Sequence, residues 1–146
     1  MTTGQRPRLQ PGTVTGTVAG ILAGLASTYY LVVIWGPEPP DDRKAATLVS
    51  LMMLAATAEV LVGAWATATR LRILASASAM GMLLTAVLIP SVMSFLFAPA
   101  AFVASIASLK ITFAAAEADR SAWNLLTFGA FGGVGAVIVI TVVTYL

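Results

Sequence analysis

Between Arg72 and Lys110 the chain runs through 37 consecutive residues, 73–109, without one charged side chain. As a single helix that stretch would be about 55 Å long, against a bilayer hydrocarbon core of roughly 30 Å. It must therefore reverse within itself, and both arms are apolar enough to lie in lipid. Composition extends the same conclusion to the rest of the chain. Of its 146 residues 59% are hydrophobic and 10% charged, whereas an ordinary soluble domain is roughly a quarter charged. In lipid every backbone polar group must find a partner inside the protein, and helices provide one within the segment. The expected fold is all-α, a polytopic transmembrane helix bundle.

The span boundaries follow from prolines and charges. Residues 1–12, "MTTGQRPRLQPG", form a polar tail with Arg6 and Arg8, read as a retained cytoplasmic segment preceding a single transmembrane domain, 13–146. A first span over about 13–35 is closed by "GPEPPDDRK", because proline removes a helix donor and clashes with the preceding turn. A second over about 45–69 stops at the basic Arg70 and Arg72. The long uncharged stretch divides into spans of about 73–97 and 99–117. The turn is expected at Phe97 to Pro99, since proline suits the first turn of a helix, and Pro90 becomes a kink inside span three. The last span, about 121–146, has Ser121 as a candidate N-cap, Trp123 at one interface and Tyr145 at the other. Four spans plus a re-entrant segment over 90–109 is the alternative count.

Five spans place Arg6, Arg8, Arg70, Arg72, Lys110 and Arg120 on one side and the acidic "PEPPDD" on the other. The bias of basic residues to the cytoplasmic side then puts the N-terminus inside. The richness in Ala, Gly, Val and Leu suggests a bacterial source and hence a bacterial cytoplasmic membrane. The chain contains no Cys and no His. That removes disulfides, thiolate chemistry and imidazole-held metals, so neither a metal nor a cofactor is expected. Its basic residues are scattered, which argues against a nucleic-acid partner. The glycine clusters lie inside apolar helices and are read as packing surfaces, not phosphate-binding loops.

Small residues recur every four positions. Gly16, Gly20, Gly24 and Thr28 make one row on span one; Ala77, Gly81 and Thr85 make another on span three. Gly129, Gly132, Gly133 and Gly135 crowd span five. Such rows let helix backbones approach closely in lipid, where apolar burial gives no drive for association. They serve contacts within the bundle or with another subunit, and spacing does not separate the two. In span two Ala55, Glu59, Gly63 and Thr67 share a face, which turns Glu59 toward other helices.

Glu59 is the carboxylate that stands out. It lies in "LMMLAATAEVLVGAW" with no cationic neighbour, and an ionisable group at such a position is a functional candidate by default. It lies about 16 Å before Arg70 along a helix, and Lys110 about 15 Å before Arg120. The two are thus expected at similar depth, near mid-membrane, with Lys110 as the charged partner if spans two and four touch. Otherwise Lys110 snorkels to the interface. An unpaired carboxyl away from water is expected to hold its proton and donate a hydrogen bond. Three roles follow: a structural element bonded to Thr57, Thr67, Ser76, Ser78 or Lys110; a transport group; or a general acid acting on a lipophilic, isoprenoid-like substrate. Acid–base catalysis usually uses two titratable groups, and the spans add to Glu59 only Lys110, Tyr29 and Tyr30. Asp41, Asp42, Glu117, Asp119 and Arg120 read as solvated loops. The expected protein is a subunit of a membrane assembly or a small oligomeric transporter. It would be surrounded by the lipid bilayer and associated with other subunits or with copies of itself; an enzyme using Glu59 is the alternative.

Overall fold

A computed structural model describes residues 8–37, 43–88 and 94–146. Its elements are α1 (Thr13–Ile34), α2 (Arg43–Trp65), α3 (Thr69–Leu88), a short 3-10 turn (Ser94–Phe97), α4 (Ala98–Ala116) and α5 (Ala122–Tyr145). No strand occurs among the described residues. The five α-helices are each long and apolar enough to cross a membrane, which supports five spans over four.

α1 packs on α2 and α4, and α3 packs on the same two helices, so α1 to α4 form a four-membered ring with α1 and α3 at opposite corners. α5 lies outside the ring, mainly along α3. Small residues and methionines fill the core: Ala19, Ala23, Met53, Ala56, Ala79, Leu83, Ala100 and Ala104 are buried in one cluster. Small side chains let helix axes come close enough for dispersion and packing to hold the bundle together. Buried hydroxyls are satisfied at home, since Ser27, Ser50 and Thr112 each donate to the carbonyl four residues earlier, at 2.8, 2.9 and 2.8 Å. That back-bonding lets a hydroxyl lie in an apolar interior without an orphaned donor.

Several glycines sit at helix crossings. A Cβ on Gly16 would stand 2.9 Å from that of Ala64, and one on Gly20 would meet Leu61, so α1 rests on α2 through this row; Gly24 faces Thr57. Gly63 lies against Ser76 of α3. Gly81 abuts the Ala130 carbonyl, Gly133 the Ser78 carbonyl and Gly129 the Leu74 carbonyl, and these three contacts seat α5 on α3. Gly132 and Gly135 have no described neighbour within 4 Å. Gly12 begins α1 at φ 81°, a left-handed backbone open to glycine, and it lies against Ile111 of α4.

The middle of the chain corrects two expected boundaries. α2 ends at Trp65 and α3 begins at Thr69, so Thr67 belongs to the turn and Arg70 and Arg72 are helical. The intervening "ATA" carries no proline or glycine to mark the stop. α3 ends at Leu88 and does not reach residue 97. Ser94–Phe97 belongs to a separate turn that leads into α4, where Pro99 lies in the first turn. Arg6, Asp41, Asp42 and the kink expected at Pro90 lie outside the described residues. Ser121 holds the cap position of α5, but its hydroxyl and N–H both bond Asp119, at 2.7 and 2.9 Å. These bonds, with Arg70 nearby, hold the exposed Asp119 carboxyl below the usual carboxylate range.

Candidate functional site

Glu59 lies on α2, one turn before Gly63 on the face that meets α3. A groove of about 400 Å³ opens there on the outside of the bundle, lined by Ala58, Glu59 and Val62 of α2 and by Leu71, Leu74, Ala75 and Ser78 of α3. The Ser78 side chain of α3 lies beside the carboxyl in the groove. One carboxyl oxygen, Oε2, is buried and has no hydrogen-bond partner among the described residues. A buried polar atom without a partner costs about 1–3 kcal/mol, and the neighbouring hydroxyls have avoided that cost by bonding backbone carbonyls.

The groove exists because the Gly63 contact draws the two helices together on one side of Glu59. α5, seated on α3 by glycine contacts, leaves the level of Leu71 and Leu74 uncovered on the α2 side. Glu59 lies six residues before Trp65, the last residue of α2, and 16 after Arg43, the first. It is thus about 9 Å from one end of the helix and about 24 Å from the other, while Ser78, beside it in the groove, stands at the middle of α3.

Glu59 and Lys110 are not brought together. Lys110 also lies six residues from its helix end, at Ala116, but the helix ends are staggered. Gly12 lies against Ala107 and Ile111 of α4, whereas Gly20 lies against Leu61 and Gly24 against Thr57 of α2. Glu59 therefore lies about two turns deeper than Lys110, and the expected common depth is corrected. Lys110 occupies the opposite side of the ring, exposed beside α1, where Nζ donates to Thr15 Oγ1 at 3.1 Å. α2 and α4 face each other across a diagonal of the ring and barely touch, which leaves no route for a pair within one chain. Of the hydroxyls considered as partners of Glu59, Ser78 is the one that lies beside it; Ser76 turns inward to Ser108 at 3.3 Å, and Thr57 bonds back to Met53 at 2.9 Å.

A second polar cluster escaped the sequence reading. Arg72 is buried in α3, with 6% of its surface exposed. Its Nε donates to the Gly63 carbonyl at 2.9 Å, and one terminal nitrogen donates to the Pro11 carbonyl at 2.8 Å, with the Ala64 carbonyl and Thr13 Oγ1 at 3.4 Å. Gly63 and Ala64 belong to the last turn of α2, whose carbonyls lack helical partners and carry the negative end of the helix dipole. Thr13 also donates to the Ala64 carbonyl at 2.9 Å, and Trp65 Nε1 donates to Thr17 Oγ1 at 3.0 Å. One guanidinium thus ties together the start of α1, the end of α2 and the start of α3. The available signal was phase: two helical positions turn about 200°, so Arg70 and Arg72 face opposite ways.

Among the described residues no group of three or more His, Cys, Asp or Glu is placed to hold a metal ion. Comparisons with protein-family models, characterised proteins and solved structures return no match. The site itself therefore carries the functional reading.

Proposed function

We propose that this chain is an integral subunit of a membrane assembly, and that the groove between α2 and α3 receives a polar group from a membrane-embedded partner, with Glu59 as the recognition element. The observation that carries the reading is the buried, unpartnered Oε2 beside an apolar groove that opens outward. A partner that supplies a donor there removes the cost of the orphaned acceptor and covers the surrounding apolar surface. Small oligomeric transport is a variant of this reading, in which the docked assembly supplies a pathway that a single narrow bundle has little room for. The general-acid alternative keeps Glu59 as its candidate, but the groove's lining supplies only Ser78 as a second polar side chain.

The reading also takes the basic end of the bundle as cytoplasmic, in a bacterial cytoplasmic membrane, on the strength of the positive-inside bias. A photo-reactive amino acid at Val62, on the rim of the groove, tests the docking. In native membranes it is expected to give a discrete adduct with a protein, which disappears with Glu59→Leu. An adduct pattern indifferent to Glu59→Leu, or labelling of lipid alone, sinks the proposal.

A further inference from the structure

We infer that the occupant of the Glu59 groove is a membrane-spanning helix of another polypeptide, which carries a lysine at the middle of its span. This deepens the docking reading above and rests on it, adding the chemistry of the group that the partner supplies.

Depth selects the kind of partner. Gly20 against Leu61 and Gly24 against Thr57 set Glu59 beside the middle of α1, and Ser78, next to it in the groove, stands at the middle of α3. A phospholipid headgroup stays at the surface, about 15 Å from the centre of the hydrocarbon core. The group that meets Glu59 therefore has to be carried there on a spanning segment. The cations of a second copy with the same topology do not serve. Lys110 stands beside Thr15, near the start of α1, and Arg72 is buried and committed to the carbonyls of Gly63 and Pro11.

Shape and bonding select the side chain. Val62 and Leu71 are exposed at the groove, whereas Oε2 of Glu59 is buried, so a donor reaches the carboxyl only on a long stem. The walls along that stem, Ala58, Val62, Leu71, Leu74 and Ala75, are all apolar. A lysine matches both features, with an apolar stem and a charged head. Hydroxyls do not. Within these spans Thr28, Thr57, Thr85, Ser105 and Thr141 each donate to the carbonyl four residues earlier, and a hydroxyl on a partner helix has the same carbonyl within reach. An arginine would bring five N–H donors to a groove whose polar lining is Glu59 and Ser78 alone. An ammonium has three, which the two carboxylate oxygens and the Ser78 hydroxyl oxygen can accept. A cation and a carboxylate are each expensive alone within the bilayer and pair with one another there, and that mutual need makes the contact selective.

The test uses the full chain, reconstituted in phosphatidylcholine vesicles with the photo-reactive amino acid at Val62 and a synthetic spanning helix of leucine and alanine. With one central lysine, that helix is expected to give about ten times the adduct of the same helix with a central leucine or glutamine, since close charge pairs couple by at least that factor. Moving the lysine to either end of the helix should abolish the advantage, and so should Glu59→Gln in the protein. Glu59→Lys combined with a central glutamate in the helix should restore it. That exchange separates pairing from misfolding, because a merely damaged chain would not recover. Equal adducts with all the helices, a preference that survives Glu59→Gln, or failure of the exchange overturns the inference. In native membranes, a Glu59-dependent adduct with a second copy of this chain, or with a polypeptide lacking a lysine near the middle of its span, also overturns it and leaves the docking reading standing. Loss of the native adduct removes both.

Discussion

At the scale of single residues, three ionisable side chains on the spans meet three different fates. Arg72 is buried and satisfied by carbonyls, Glu59 is half-buried with one oxygen unsatisfied, and Lys110 is exposed and bonded to a neutral hydroxyl. The contrast is geometric. Five donors in a planar fork let one arginine serve carbonyls from two different segments, and Gly63 leaves the approach to the α2 terminus open. Removing it with Arg72→Ala should cost about 3 kcal/mol, from two charge-assisted hydrogen bonds lost at the junction of three helices. Arg72→Lys should recover only part of that, since an ammonium reaching the Gly63 carbonyl cannot also match the fork's reach to Pro11. The exposed Arg70→Ala is the control and should stay within about 0.5 kcal/mol. Chemical unfolding in detergent micelles measures all three, and equal losses at 70 and 72 would show that the buried geometry is not what matters.

At the scale of elements, α5 differs from the other helices. It has the smallest buried share of the five spans, and its seating depends on close backbone approach at Gly81, Gly129 and Gly133. Gly133→Leu would drive a side chain into the Ser78 carbonyl and should cost about 1–3 kcal/mol by overpacking. It should also detach α5 while α1 to α4 stay together. A cysteine at Ala130 should then become reactive to a maleimide, while one at Ala104, in the core cluster, stays protected. Gly132→Leu points where no described atom lies within 4 Å and should be neutral. Spacing in the sequence sets Gly129 and Gly133, four residues apart, on one row as packing positions. Which helix that row meets depends on phase between helices, a tertiary quantity.

At the scale of the whole molecule, an odd number of crossings sets the two ends of the chain on opposite faces. Reporter domains joined before Met1 and after Leu146 are expected to report opposite compartments, with a third inserted at Ala118 agreeing with the first. Agreement between the two ends would return the four-span count.

The all-helical, five-span character of this protein was legible in the sequence, because it depends on quantities that add along the chain: the length of uncharged stretches, their hydropathy, and the positions of proline and charge. α1, α4 and α5 fall within a residue or two of their expected bounds. The turn after Trp65 was not legible, since "ATA" has no breaker and the end of α2 is met by Arg72 from the next helix. Glu59 was legible as an anomaly, but its level relative to Lys110 was not, because α2 and α4 meet α1 at different turns. That these two lie on opposite sides of one ring, while Arg72 turns inward, was decided by which helix faces meet. Close packing of side chains from distant parts of the chain fixes that choice, and no local pattern encodes it.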